Sequence, residues 1–325
     1  MSPPSRILLV GIDEAGYGPL LGPLVVSASA FSVPAERVDA SLWAELTPSV
    51  TDSLSVRDAR VRILDSKKLH KPQEGLAKIE RTALAAIHAW RGLPDRLNLL
   101  LSMVSPECAD MLKAYAWYAA NDPALPLAAD AGGVRIAGSL FRQDMNAKAI
   151  RLTSLMCEVL PEGHYNRLVD RTQNKAVVLM GLTLRLMQRM ADAHPGQQVR
   201  FLIDKQGGRN RYVPTLLKNF EDRRLKIIEE KPECSAYELV QGDSSWQVSF
   251  TQKGEGRHLP TALASIMSKY VREALMRSFN EYWTGHMPAL RPTAGYYEDG
   301  LRFLADIRPM LGKLGVREDQ LVRVK

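Results

Sequence analysis

The sequence predicts a mixed α/β fold, a β-sheet flanked by helices, and two observations carry that reading. Two apolar strands stand close together near the N-terminus, joined through a glycine-rich turn. After them, helical stretches alternate with short strands to the end of the chain. The first strand is Arg6–Ile12, an aliphatic run that ends in Asp13-Glu14. Gly16, Gly18, Pro19, Gly22 and Pro23 make the turn, and Leu24–Phe31 returns as the antiparallel partner. Lys71–Trp90 has helical periodicity and few breakers, and Leu97–Val104 reads as a further strand. The Ala-, Leu- and Met-rich stretch 105–172, broken at Asn121-Asp122-Pro123 and Gly132-Gly133, reads as a mostly helical insertion. A helix over Asn174–Ala193 follows, with Gly196 near its capping position. Val199–Ile203 is a short strand running directly into Asp204, and Leu225–Glu229 and Trp246–Phe250 are further strands. Ala262–Tyr282 is a long helix and Leu301–Leu314 a shorter one. The expectation is a single domain over 1–325 with the 105–172 insertion inside it.

Composition narrows the function class. Of 325 residues, 46% are hydrophobic and 24% charged, an ordinary globular balance. The net charge of +7 and a pI near 9.3 favour polyanionic partners. Cys108, Cys157 and Cys234 are odd in number and far apart, so they read as reduced thiols without disulfide or zinc spacing. No apolar run has the length of a signal-peptide core or of a membrane span, so a cytoplasmic protein is expected.

Carboxylates at strand ends are the candidate chemistry. Asp13 and Glu14 close the first strand, but neighbours on a strand point to opposite faces, so convergence needs a bend at Ala15-Gly16. On its own the pair reads first as a solvated acidic turn. Asp204 repeats the arrangement ahead of Lys205-Gln206-Gly207-Gly208-Arg209, and Glu255 lies in the turn Lys253-Gly254-Glu255-Gly256-Arg257. Carboxylates delivered to one sheet edge make a cage for hard divalent cations, yet spacing alone leaves their convergence open.

Ordered motifs add to this. Gly11-Ile12-Asp13-Glu14-Ala15-Gly16-Tyr17-Gly18-Pro19-Leu20 resembles the opening G-I-D-E-A-G-R-G-P-L motif of the ribonuclease HII family. Asp65-Ser66-Lys67-Lys68-Leu69 resembles its D-S-K-K-L motif, and Asn174 loosely resembles the start of its N-I-L-x-A-T helix. Ala264-Ser265-Ile266 resembles its A-S-I helix, and Gly295-Tyr296 its C-terminal G-Y segment. The resemblance implies a ribonuclease H-like fold and cleavage of the RNA strand of RNA–DNA hybrids, or at ribonucleotides embedded in DNA. It implies Asp13, Glu14, Asp204 and Glu255 as catalytic ligands of two Mg²⁺ or Mn²⁺ ions, with 5′-phosphate and 3′-hydroxyl products. Gly16, Tyr17, Gly18, Ser66, Lys67, Lys68 and Tyr296 are the implied substrate contacts. Glu255 takes the fourth carboxylate position because it stands ten residues before Ser265, as the family's Asp does; the competitor Asp243 stands 22 before it.

The chain departs from the family at Tyr17, where the family has Arg, and at Glu255, where it has Asp. The Tyr17 ring is open to stacking on a sugar or base, or to simple packing. Lys269, Arg272, Arg209, Arg211 and Tyr212 suit phosphate contacts, with solvated charges as the plainer alternative. Trp117, Trp246 and Trp283 are expected in the core, and the histidines have no ligand spacing. The C-terminal Leu321-Val322-Arg323-Val324-Lys325 lacks the paired aromatics of a sliding-clamp tail. Two alternatives stand beside the main reading: a nuclease of the same fold with another nucleic-acid substrate, and a catalytically silent binding protein.

Overall fold

The computed structural model describes residues 6–55, 58–70, 74–207 and 209–324. Strands β1 (Arg6–Ala15), β2 (Leu24–Pro34), β5 (Arg151–Leu160), β6 (Gln198–Asp204), β7 (Arg224–Glu230), β8 (Cys234–Gln241) and β9 (Ser244–Thr251) form one sheet; β3 (Val50–Thr51) and β4 (Val61–Arg62) pair separately. The order in the large sheet is β5-β2-β1-β6-β9-β8-β7. β1 runs antiparallel to β2 and β2 to β5, whereas β1, β6 and β9 are parallel neighbours. This is the mixed sheet flanked by helices that the sequence predicts, with the β7–β8 ribbon lying beyond β9.

Both faces of β1 are covered, which is why the strand is almost continuously apolar. Leu9 joins a core under the helix Leu259–His286, while Leu8, Val10 and Ile12 join one under the helix Lys175–Asp192. Gly11 lets the long helix begin directly on β1: a Cβ there would lie 2.0 Å from the Pro260 carbonyl carbon. Ser29 fixes the same junction by donating to Pro260 O at 2.7 Å.

Two elements differ from the expectation. Leu97–Val104 is a helix, not a strand, because Leu97, Leu100, Leu101 and Val104 face inward at helical spacing while Leu99 is exposed. The 105–172 stretch is mostly helical, as expected, with the Ala131–Ala147 and Glu162–Thr172 helices. It is nevertheless not set apart from the sheet, since β5 lies within it and pairs along β2 from Leu24↔Leu160 to Ser32↔Arg151. The Lys71–Trp90 helix is observed as Ala77–Arg91, its first three expected residues lying outside the described ones. Trp117, Trp246 and Trp283 are buried as expected. Among the described residues no helix is long and apolar enough to cross a membrane.

Candidate active site

Parallel pairing brings the carboxylates together. Ile12 is in register with Ile203, and Asp204 with Thr251, so β1, β6 and β9 end at one edge of the sheet. That edge, where β1 also meets its antiparallel neighbour, is where ligands of open α/β sheets bind. Asp13 and Asp204 thus leave adjacent strand ends, and Glu255 follows β9 in the short turn Gly254–Gly256. Asp204 Oδ1 accepts from Gly254 N at 2.6 Å, tying β6 to that turn.

Ser265, on the first turns of the Leu259–His286 helix, organises the other side. Its hydroxyl lies 2.9 Å from Glu255 Oε2 and 3.0 Å from the Ser66 hydroxyl. Lys67 Nζ stands 3.8 Å from Glu255 Oε1 with its side chain mostly in solvent. Ser268 donates to Asp13 O at 2.9 Å. Ser265 and Ser268 are therefore part of the site, a role that the motif spelling alone did not assign.

The electrostatics are those of a site short of positive charge. Asp13 is 7% exposed. Burial, then the Glu14 and Asp204 charges, hold its carboxyl well above the usual carboxylate range. Burial and the Asp204 charge push Glu14 up to about 7. Burial raises Asp204 too, against the lowering effect of the Gly254 N–H. Glu14 Oε2 is buried without a hydrogen-bond partner among the described residues. Strand β1 runs through Ala15 and turns only at Gly16, and Asp13 Oδ1 accepts from Glu14 N at 2.7 Å. Among the described residues no three His, Cys, Asp or Glu side chains are grouped closely enough to hold a metal ion. Carboxylates that share a low-dielectric edge repel one another, so they sense each other without closing up. An unpartnered, buried oxygen in an all-oxygen donor set suits a hard divalent cation.

The glycine loop lies beside this edge. Gly16 takes φ +85°, and a Cβ there would lie 2.5 Å from Pro23 O. Gly18 is exposed and a Cβ on it would meet nothing within 4 Å, leaving its backbone open to close approach. Tyr17 is half-buried against the sheet core, with Lys175 Nζ 5.3 Å from its ring centroid. Tyr296 is exposed at the start of the Tyr297–Leu311 helix. Lys68 is exposed beside Lys67, whereas Ser66 is buried.

Two side chains are corrected by the structure, and one competitor is displaced. Arg272 faces neither phosphate nor water: it is 1% exposed and donates through Nη2 to Leu21 O at 3.3 Å and Ala294 O at 2.9 Å. It anchors the glycine loop to the Gly295-Tyr296 turn, whose Gly295 O also accepts from Leu20 N and Leu21 N. Tyr212 is buried, stacked 3.6 Å from Phe250, rather than placed in a contact loop. Arg209 is half-buried beside it, while Arg211 is exposed. Asp243 sits in the β8–β9 turn, before the start of β9, so the length of that strand separates it from Asp204. At about 3.3 Å per residue that is roughly 20 Å or more.

No protein-family model matches the chain. A curated ribonuclease HII of Gluconobacter oxydans (strain 621H) is 38% identical over 92 residues, which cover 28% of this chain and 37% of that relative. Over those 92 residues the chain is similar to a ribonuclease HII. The match spans little more than a third of that ribonuclease HII's length. Solved structures similar to the chain include the PCNA:RNase HII complex from Archaeoglobus fulgidus, at 14% identity and TM-score 0.48, covering 98% of this chain and 94% of that one. Bst-RNase HIII in complex with Mn²⁺ is 18% identical at TM-score 0.45, covering 98% and 67%. The ribonuclease H2 of Pyrococcus horikoshii OT3 is 11% identical at TM-score 0.44, covering 97% and 92%. With these TM-scores below 0.5, the fold stands on strand order and register.

Proposed function

We propose that this chain is a metal-dependent endoribonuclease of the ribonuclease H type. It acts in the cytoplasm on the RNA strand of RNA–DNA hybrids, or at ribonucleotides embedded in DNA. The observation that carries the reading is the set of buried, under-neutralised carboxylates at one sheet edge, beside a glycine loop with an open backbone. Asp13, Glu14, Asp204 and Glu255 would hold two Mg²⁺ or Mn²⁺ ions. When bound, such ions supply an activated water and charge stabilisation of a departing 3′ oxygen, which leaves 5′-phosphate and 3′-hydroxyl ends.

The chain's own residues provide the rest. Ser265 holds Glu255 and Ser66 in one hydrogen-bonded row, which keeps the fourth carboxylate turned toward the edge. Lys67 and Lys68 extend into solvent from the short helix Ser66–Leu69 and would meet backbone phosphates as point cations. Gly16 and Gly18 admit the sugar of the ribonucleotide to the loop backbone, and the exposed ring of Tyr296 offers an apolar face to the neighbouring sugar. The basic net charge supplies the non-specific attraction to a duplex.

A substrate panel tests the proposal: a long RNA–DNA hybrid, a DNA duplex with one ribonucleotide, double-stranded RNA and single-stranded DNA, each in Mg²⁺ and in Mn²⁺. Cutting of the first or second, with a 5′-phosphate on the product, supports it. Cutting of only the last two moves the chain to another nuclease class, and tight hybrid binding without any cutting makes it a binding protein.

A further inference from the structure

The C-terminal segment folds back onto the glycine loop. After the short helix Glu318–Leu321, Arg323 donates its backbone N–H to Leu20 O at 2.9 Å. Its guanidinium donates through Nη1 to the carbonyl of Gly16, and through Nη2 to that of Tyr17 at 3.1 Å. The side chain is 3% exposed, and its Cζ lies 4.0 Å from the centroid of the Tyr165 ring. The segment is itself pinned: Asn166 Nδ2 donates to Asp319 O at 2.8 Å and Val322 O at 2.7 Å, and its Oδ1 accepts from Val324 N at 2.9 Å. Tyr165 and Asn166 both belong to the Glu162–Thr172 helix.

One guanidinium holding two successive carbonyls fixes two peptide planes at once. A lysine ammonium is a point donor and cannot match that fork. We propose that Arg323 is a positioning residue: from the far end of the sequence it sets the Gly16-Tyr17-Gly18 backbone at the angle that distinguishes ribose from deoxyribose. The proposal rests on reading that loop as the part that meets the sugar. Arg323 is too deeply buried to reach a phosphate, so it acts only through the loop. Arg272 holds the same loop further on, at Leu21 O, so loss of Arg323 loosens its beginning and leaves its end tied.

The test uses the full chain with Arg323→Ala and Arg323→Lys. Hydrogen exchange is followed over 14–22, with β6 and β9 as internal controls for folding. Binding is measured to two duplexes identical except for a single ribose, and cleavage is measured on the single-ribonucleotide duplex and the long hybrid. Arg323→Ala is expected to speed exchange over 14–22 by about tenfold or more and leave β6 and β9 unchanged. It should cut the preference for the ribose-bearing duplex by about tenfold and lower kcat on the single-ribonucleotide duplex more than on the hybrid, as a small misplacement does. Arg323→Lys should fall between. Unchanged exchange, exchange raised equally everywhere, or equal losses on both substrates would overturn the proposal. So would a parent protein that binds the two duplexes equally. A parent that prefers the ribose-bearing duplex without cutting it would refute the nuclease reading alone, because the binding ratio still reports on Arg323.

Discussion

Two buried acidic places in this molecule are built in opposite ways. Glu80, on the Ala77–Arg91 helix, is fully buried, and both of its oxygens are satisfied inside the protein. Oε1 accepts from Leu127 N at 2.6 Å and the Tyr270 hydroxyl at 3.0 Å; Oε2 accepts from Ala128 N at 2.6 Å and Ala129 N at 2.7 Å. At the sheet edge, Asp13 and Glu14 are crowded by like charges, and Glu14 Oε2 has no hydrogen-bond partner among the described residues. A carboxylate that serves the fold is answered by donors from its own chain. One left unanswered among like charges keeps an oxygen for an outside partner, as the proposed function requires of Glu14.

Breaking the edge should cost activity first. Asp13→Asn removes a charge that the fold does not need and a catalytic ligand that the proposed site does. Cleavage is expected to fall by about three orders of magnitude or more, which is on the order of 4 kcal/mol of barrier. Duplex affinity should change little; gel-shift and single-turnover assays on the same preparation read both, and retained turnover would refute the assignment of Asp13.

Breaking the Glu80 cluster should do the reverse. Glu80→Ala leaves three backbone N–H groups and a buried tyrosine hydroxyl without their acceptor, so a loss of about 1.5–3 kcal/mol in urea unfolding is expected. Cleavage per folded molecule should be nearly unchanged. A variant as stable as the parent would show that these bonds contribute little.

Glu162 sharpens the comparison, because it lies between the two extremes. It accepts from the Tyr118 hydroxyl at 2.9 Å and Gly22 N at 3.2 Å, yet Oε2 has no partner among the described residues. Burial pushes its carboxyl from the ordinary 4.5 up to about 7. In the unfolded chain the proton is lost near 4.5, while the folded chain keeps it to about 7. The folded state therefore binds more protons between those values, and stability contributed by this group is lost as pH rises through that window. Glu162→Gln removes the titration. Its stability relative to the parent should rise from pH 4.5 to 7 by up to about 3 kcal/mol and stay level above that. A pH-independent difference in melting would contradict it.

The smallest expected effect belongs to Asp243. Asp243→Asn, in the turn at the far end of β9, should leave cleavage within about twofold of the parent, whereas Glu255→Gln should lower it severely. An Asp243 effect as large as that of Glu255 would reverse the choice of fourth carboxylate.

Much of this was legible in the primary structure because it is locally written. Aliphatic runs at Arg6–Ile12 and Val199–Ile203 end in carboxylates, and turn residues bound them; Asn174 accepts from Ala176 N as a helix cap should. Strand β8 was legible in principle, since Ser235, Tyr237 and Leu239 alternate inward, but the apolar Ala236 and Val240 on its outward side blur the alternation. Strand β5 was not, because it is covered on both faces and its Leu- and Met-bearing run has no alternation to separate it from a helix. Tertiary structure alone decided how the carboxylates meet: it takes parallel register to put the ends of β1, β6 and β9 at one edge, and strand spacing says nothing of neighbours. It alone decided that Arg272 and Arg323 are buried braces rather than surface charges. A guanidinium can be buried only where carbonyls from distant segments converge on its donors, and that convergence exists only in the folded chain.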